Sequence, residues 1–152
     1  MIEIICLGKA RQDYVTSGLN EYLPRIARYC PISMKILPDH KLSSNSTEEF
    51  VKLKESEIIL RYIHPGSFKI ALDEKGNLMN SMEFAAFMNS HLAKDIQFII
   101  GGVYGLSANV IKSVDYLLSF SPFTFTHQMI RLLLAEQIYR AFTILKGKKY
   151  HY

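Results

Sequence analysis

The segment SFSPFTFTHQ, at residues 119–128, concentrates the side chains best suited to binding a ligand. It combines three phenylalanines with two serines and two threonines around one proline, and it ends in a histidine and a glutamine. A long apolar helical pattern, MIRLLLAEQIYRAF, follows at once. A surface loop has no need of three phenylalanines, and a central strand would not carry the proline. The composition therefore predicts a binding segment in front of the helix.

A glycine cluster, GGVYG, follows the apolar run IQFII and is a second candidate site. Glycines directly after a strand let the backbone approach a ligand or adopt positive φ. The same spacing suits a tight turn that needs glycine for its geometry alone, and the sequence does not decide between these explanations. A phosphate-cradling nucleotide site is not indicated, because LGKARQD after the first apolar run lacks the Rossmann glycines and no Walker A motif occurs.

Hydrolytic and metal chemistry find little support in the sequence. The carboxylates of Asp73, Glu74 and Asp115 are isolated, and no Gly-x-Ser-x-Gly elbow occurs. Five histidines show no metal-ligand spacing, so we expect no metal: His40, His64, His91, His127 and His151. The remaining possibility is a site of backbone amides, hydroxyls and apolar side chains, which suits an adenine-like ring.

The elements that must position these residues alternate between strand and helix patterns along residues 1–152, which predicts one α/β domain. Its fold class is a parallel-rich sheet with helices on both faces. The predicted strands are IEIICL, SMKIL, FKIAL, IQFII and YLLSF, with DEKGN as a turn after the third. The first predicted helix covers Asp13–Arg28, and the second opens with a capping box STEE at Ser46–Glu49 and runs to about Tyr62. The third, NSMEFAAFMNSHL, is also predicted to be capped at its start, and two more cover Ser107–Val114 and about Thr126–Lys146. Ligands bind beyond the carboxyl ends of such strands, where both candidate segments fall.

Charge and hydropathy limit the partners. The formal net charge is +4 and the pI about 9.0, a mild indication of a polyanionic partner. From Gln137 onward the charged residues are all basic: Arg140, Lys146, Lys148 and Lys149. A solvated tail or a complement to the helix dipole explains them equally well. With no apolar run of membrane-spanning length and no signal-peptide pattern, we expect a cytoplasmic protein and no membrane partner.

Three stretches, FIIGGVYGL, LSFSPFTFTHQMIRLLLAEQIYRAF and the terminal YHY, resemble the ribosomal RNA large subunit methyltransferase H family. These are small SPOUT-class enzymes that methylate N3 of a pseudouridine in large-subunit (23S) ribosomal RNA. The resemblance covers the whole chain, with two departures. Thr126 stands where the family often has proline, and Tyr152 ends the chain where the family often has a basic residue.

The resemblance implies S-adenosylmethionine as methyl donor, ribosomal RNA in the ribosome as substrate, a C-terminal trefoil knot and a homodimer with the site between subunits. Carried over by motif, the donor-binding residues are Leu72, Gly101, Phe120, Ser121, Pro122, Phe123, Thr124 and Phe125. Two alternatives stay open: a SPOUT-type methyltransferase for another RNA or a small molecule, and a non-catalytic ribosome-binding module.

The N3 imide of pseudouridine must lose its proton for methyl transfer, and four residues are candidates for the chemistry. His127 and His151 carry imidazoles, the side chain that most often acts as a general base, Arg140 can contact phosphate or lower the imide pKa, and Tyr150 can stack on a base. Non-catalytic explanations are a helix-start histidine for His127, a frayed end for His151 and an ion pair with Glu136 for Arg140. The apolar excess of the last helix predicts a second copy, or else a helix buried on both sides within one domain.

Overall fold

The computed structural model describes residues 1–41, 43 and 46–151. Its centre is a five-stranded parallel sheet with strand order β2-β1-β4-β3-β5. The strands are β1 Ile2–Leu7, β2 Ile32–Leu37, β3 Phe68–Leu78, β4 Ile96–Ile100 and β5 Tyr116–Ser119. The helices are α1 Asp13–Ala27, α2 Glu48–Tyr62, α3 Ser81–His91, α4 Ala108–Lys112 and α5 Met129–Leu145. The predicted parallel α/β architecture is confirmed.

Helices cover both faces of the sheet, as predicted, because successive side chains of each strand point to opposite sides. In β1, Ile4 packs in the core shared with α1, α3 and α5, whereas Ile5 packs in the second core with α2 and α4. The central strand β4 is buried along its whole length. A strand buried on both faces explains the apolar segment IQFII. Its one polar residue, Gln97, is buried with its amide donating to Glu3 and to the Tyr62 carbonyl.

The carboxyl ends of β4 and β5 lie on either side of Leu72 in β3, at one edge of the sheet that we call the carboxyl edge. Leu72 in β3 pairs in register with Ile100 of β4 on one side and with Leu118 of β5 on the other. The backbone that follows each strand therefore leaves the sheet from adjacent positions. This edge is where the binding segment and the glycine cluster begin.

The predicted turn DEKGN is instead an irregularity inside β3. Pairing with β5 runs to Leu72, breaks, and resumes at Asn77, so residues 73–76 bulge out of the ladder. A Cβ on Gly76 would lie 2.7 Å from the backbone of Leu118, because β5 passes directly against this position. The bulge thus places Glu74 at the carboxyl edge, beside Thr124.

Two predicted helix starts are shifted. The prediction that Ser46 caps α2 was wrong. The N-cap is Thr47, whose side chain accepts a hydrogen bond from the Phe50 amide. The last helix begins at Met129, although the Thr126 hydroxyl accepts from the Met129 amide and so caps the turn before it. The cap predicted for α3 is present, and Asn80 forms a capping box with Glu83.

The ten elements pack around a single sheet. None of the helices within the described residues is long and apolar enough to cross a membrane. The single-domain extent of 1–152 and the trefoil knot stay predictions.

Candidate functional site

The segment from Ser119 to Phe125 forms a loop at the carboxyl edge that is held by hydrogen bonds of its hydroxyl groups. The Ser119 hydroxyl donates to the Ser121 carbonyl at 3.0 Å, and the Ser121 hydroxyl accepts from the Phe123 amide at 3.0 Å. The Thr124 hydroxyl donates to Glu74 Oε2 at 2.7 Å, which ties the loop to the β3 bulge. The serines and threonine therefore shape the loop and fix it beside β3.

The three phenylalanines of this loop divide between core and surface. Phe120 packs edge-on against Phe84 with ring centroids 6.2 Å apart. Phe123 is 80% exposed and Phe125 is 39% exposed. Only Phe120 thus has a structural explanation within one chain. Two large apolar rings in solvent at a strand-end edge indicate a surface that a ligand or partner covers.

The glycine loop, residues 101–106, is a tight turn. Gly102 and Gly105 form an isolated antiparallel bridge, and Gly105 has a φ of 77°. A Cβ on Gly101 would lie 2.8 Å from the Gly105 carbonyl carbon. Loop geometry alone therefore requires glycine at 101, and the turn explanation accounts for the residue without a ligand.

A buried carboxylate, Glu55 of α2, lies against this glycine loop. A Cβ on Gly102 would lie 2.5 Å from Glu55 Oε2. Next to it, the Ser56 hydroxyl donates to the Ser107 hydroxyl, so α2 is fixed to the end of the loop. Sequence reasoning missed Glu55. The available signal was spacing, because Val51, Glu55 and Ile59 recur every four residues on the buried face of α2.

A second missed residue is Arg131, which is 0% exposed at the start of α5. Its guanidinium donates to the carbonyls of Leu7, Gly8 and His127. Burial lowers the pKa of Arg131, and the three carbonyls satisfy its donors. This contact fixes the start of α5 to the carboxyl end of β1, and with it the backbone of His127.

His127 lies half-buried at this junction, with Nε2 3.2 Å from Nε2 of Gln128. Burial, and then the positive charge of Arg131, lower the pKa of His127 from its ordinary value of 6.5. The imidazole is therefore mainly neutral at pH 7. Because the Gln128 amide nitrogen can only donate, Nε2 is the acceptor nitrogen of His127, and it must exchange this contact to take up a proton.

The C-terminal tail is docked on its own chain at Tyr150. The Tyr150 hydroxyl lies 3.1 Å from that of Tyr22 and 3.2 Å from Glu136 Oε1. Burial, and then the hydrogen bond with Tyr22, raise the pKa of Tyr150 far above its usual range. The Arg140 guanidinium lies 4.8 Å from the centre of the Tyr150 ring. A frayed end does not describe this residue.

Arg140 makes the ion pair with Glu136 that helical spacing allows, at 2.5 Å. Its Nη1 also lies 3.4 Å from Nδ1 of His151, which is exposed. The non-catalytic explanation for Arg140 is thus a real contact. One guanidinium edge still faces the exposed histidine.

Arg140, Tyr150 and His151 lie far from the two candidate ligand loops of the same chain, the glycine loop and the Ser119–Phe125 loop, which we call the donor loops. Helix α5 starts at the carboxyl edge, where Arg131 contacts β1, and Arg140 lies nine residues further on, about 14 Å along the axis. Towards its end, Phe142 stacks on Tyr29, just before β2 begins. Arg140, Tyr150 and His151 therefore lie towards the opposite edge of the sheet from the strand-end loops.

The apolar excess of α5 is explained within one chain. The helix packs against the sheet between α1 and α3, and no α5 residue is among the exposed large apolar side chains in the described part of the chain. The alternative of a helix covered within one domain thus accounts for much of this apolar surface, and the second copy stays a prediction. Four exposed large apolar side chains lie at the carboxyl edge, namely Leu78, Val103, Phe123 and Phe125, and others lie elsewhere, among them Phe50, Leu53 and Leu60 of α2.

The two best-defined concavities lie away from these loops. One, of about 200 Å³, lies at the amino ends of the strands near Glu3, His64 and Gln97. The other, of about 510 Å³, is lined by Arg25, Arg28, Tyr29, Tyr139 and Lys148 between α1 and the C-terminal residues. The loops at the carboxyl edge form an open surface in a single chain, with Phe123 80% exposed.

The family model and the curated relatives agree on one family. Residues 1–151 match the family described as "Predicted SPOUT methyltransferase". Curated relatives called Ribosomal RNA large subunit methyltransferase H are 42% identical in Clostridium kluyveri, 41% in Parabacteroides distasonis and 44% in Alkaliphilus oremlandii. Each alignment covers 99% of this chain and 98% of the relative.

A solved structure, that of a probable methylase family protein from Haemophilus influenzae Rd KW20, has the same fold. It aligns with a TM-score of 0.53 at 15% identity, over 99% of this chain and 69% of the other. At that identity the likeness concerns the fold alone. The family match and the curated relatives decide the assignment: the chain belongs to the SPOUT methyltransferase family, and within it to the ribosomal RNA large subunit methyltransferase H group.

Proposed function

We propose that the protein transfers a methyl group from S-adenosylmethionine to N3 of a pseudouridine in 23S ribosomal RNA. The observation that carries the proposal is the similarity, over nearly the full length, to relatives called Ribosomal RNA large subunit methyltransferase H. The geometry supports it, because the glycine loop after β4 and the Ser119–Phe125 loop after β5 lie on either side of the β3 bulge at the carboxyl edge.

The residues at this edge fit S-adenosylmethionine in chemical character. Phe123 and Phe125 offer exposed rings for an adenine, and the loop from Phe120 to Phe125 offers backbone groups for its nitrogens. Leu72 and Gly101 lie at the neighbouring strand ends. In the described residues no group of His, Cys, Asp and Glu has the arrangement of a metal site. Bound there, S-adenosylmethionine supplies an electrophilic methyl group on its sulfonium.

The chain must then orient the imide and remove its proton. His127 is a neutral imidazole beside the donor loop and can accept that proton. Its backbone is held by buried Arg131, which limits its movement. The alternative base is His151, whose Nδ1 faces Arg140. A positive charge at Arg140 favours the deprotonated imide.

A shared site reconciles the separation of Arg140, Tyr150 and His151 from the donor loops. These residues lie towards the opposite edge within one chain, so they act at a donor site only when a second chain presents it. We therefore infer a homodimer in which the tail cluster of one subunit lies over the partner's carboxyl edge. The exposed Phe123 and Phe125 rings are apolar surface that such a contact would cover.

The test is methylation of ribosomes from cells that lack this protein. Purified protein and S-adenosylmethionine should add one methyl group to a pseudouridine of 23S ribosomal RNA, read by mass spectrometry of nuclease fragments. Free pseudouridine should be a poor substrate, because it offers none of the phosphate contacts that a basic chain makes. Methylation of transfer RNA instead would move the assignment to another RNA. Absence of donor binding by calorimetry would leave a non-catalytic ribosome-binding module.

A further inference from the structure

Glu55 carries a buried oxygen that the protein leaves without a hydrogen bond. The side chain is 3% exposed, and Oε1 accepts from the His40 amide at 3.2 Å. Within the described ranges, 1–41, 43 and 46–151, Oε2 is the one buried side-chain polar atom that has no partner. Burying such an oxygen unpaired costs free energy, so its presence needs an explanation.

Nothing in the core requires a charge at this position. Glu55 occupies the buried face of α2 between the apolar residues Val51 and Ile59. Its one described hydrogen bond, from the His40 amide, needs an acceptor oxygen that an uncharged glutamine side chain would also supply. No described cation forms an ion pair with it. Burial raises the pKa of the Glu55 carboxyl, and the hydrogen bond from the His40 amide opposes that rise. A positively charged hydrogen-bond donor would relieve both the desolvation and the missing contact.

The position of Glu55 Oε2 indicates which cationic group would donate this hydrogen bond. Oε2 lies directly against Gly102, in the loop that leaves β4 beside the proposed S-adenosylmethionine site. The segments beside it are this glycine loop and the loop at His40, both at the carboxyl edge, so a small loop displacement would admit a ligand group. S-adenosylmethionine carries one cationic group with N–H bonds, the α-ammonium of its amino-acid portion. Its sulfonium has none, and its ribose offers only neutral hydroxyls.

We propose that Glu55 is a donor-binding residue whose Oε2 accepts a hydrogen bond from the α-ammonium of bound S-adenosylmethionine. The inference rests on the proposed function. The adenine lies at the Phe120–Phe125 loop and the amino-acid portion crosses the glycine loop to α2. Ser56 and Ser107 hold α2 against that loop through their hydroxyl contact, which keeps Glu55 in reach.

The test compares two ligands that differ in the amino-acid portion. S-adenosylhomocysteine has it, whereas 5′-methylthioadenosine keeps adenine and ribose and lacks it. Calorimetry of Glu55→Gln should show S-adenosylhomocysteine bound about 10- to 100-fold more weakly, the range for a charge-assisted hydrogen bond, with binding of 5′-methylthioadenosine unchanged. Glu57→Gln, an exposed position on the same helix, is the matched control and should bind both ligands as the unaltered protein does.

Thermal unfolding without ligand separates this role from a structural one. Glu55→Gln removes a desolvated charge, so its Tm should be unchanged or higher. If Glu55→Gln folds too poorly for titration, Glu55→Asp, which keeps the charge and withdraws it by one methylene, should lose the same discrimination. Equal weakening of both ligands, or no weakening of either, overturns the proposal. Failure of the unaltered protein to bind either ligand would overturn the proposed function itself, and with it this inference.

Discussion

At the scale of single residues, His127 has the clearest pH signature. Its pKa is lowered by burial and by Arg131, so the neutral form is favoured in the folded chain. Stability from a depressed pKa is present above 6.5, the unfolded value, and is lost as pH falls through the folded value. Between pH 7 and acid pH, the unfolding free energy should therefore fall less in His127→Asn than in the unaltered protein.

Denaturant titrations at several pH values measure this difference. His64→Asn, which removes an exposed histidine at the opposite edge of the sheet, is the matched control. If His127 is also the base, its replacement should lower methylation at every pH and remove the acid limb of the rate profile, which lies below 6.5. An acid limb that persists in His127→Asn would assign the proton transfer elsewhere, with His151 the next candidate.

At the scale of elements, the glycine loop is constrained by its own turn. A Cβ on Gly101 would meet backbone atoms of Gly105 and Leu106 at 2.8–3.0 Å, so Gly101→Ala forces the turn apart. We expect a loss of about 1–3 kcal/mol in unfolding free energy, typical of overpacking. Gly66→Ala is the control, because nothing lies within 4 Å of its Cβ position. Equal stability of the two variants would show that the loop relaxes freely.

The concavity between α1 and the C-terminal residues is suited to an RNA strand. Arg25 lies 5.7 Å from the centre of the Tyr139 ring, Lys148 lies 5.2 Å from that of Tyr29, and Arg28 lines the same hollow. We expect Arg28→Glu to weaken ribosome binding and to flatten its dependence on salt, since one phosphate contact is lost. Lys112→Glu on α4, across the sheet, should change neither. Filter binding over a salt series measures both.

The alternation of patterns predicted the order of all ten elements, because hydrophobic periodicity is a local property that the sequence displays directly. Local capping was predicted at Asn80 but misplaced by one residue at Thr47, where neighbouring Ser46 offers the same chemistry. Contacts made across the fold were not predictable. The spacing of Val51, Glu55 and Ile59 indicates that Glu55 is buried, but no sequence pattern shows its contact with Gly102. The contact of Arg131 with β1 has no sequence pattern either, since both contacts depend on how the helices pack on the sheet.

At the scale of the whole molecule, the two groups of proposed site residues lie towards opposite edges of the sheet. The donor loops lie at the carboxyl edge, whereas Arg140 and the docked Tyr150 lie about 14 Å along α5 towards the amino edge. Deleting residues 150–152 should therefore leave donor binding and dimerisation nearly intact while abolishing methyl transfer. Sedimentation, calorimetry and ribosome methylation measure the three properties separately.

A mixed dimer tests the shared site directly. Its first variant lacks residues 150–152. The second keeps the tail but carries Phe123→Asp, which suits folding because this ring is 80% exposed and which places a charge where an adenine would stack. Loss of S-adenosylhomocysteine binding by this second variant is confirmed first. Each variant alone should be inactive.

In a mixed dimer, the tail-deleted chain keeps its donor loop and receives an intact tail from its partner, so one pocket is complete and methylation returns. Mixed dimers that form and stay inactive, with tail-deleted homodimers that retain activity, would show that the tail serves only its own chain's packing against Tyr22 and Glu136.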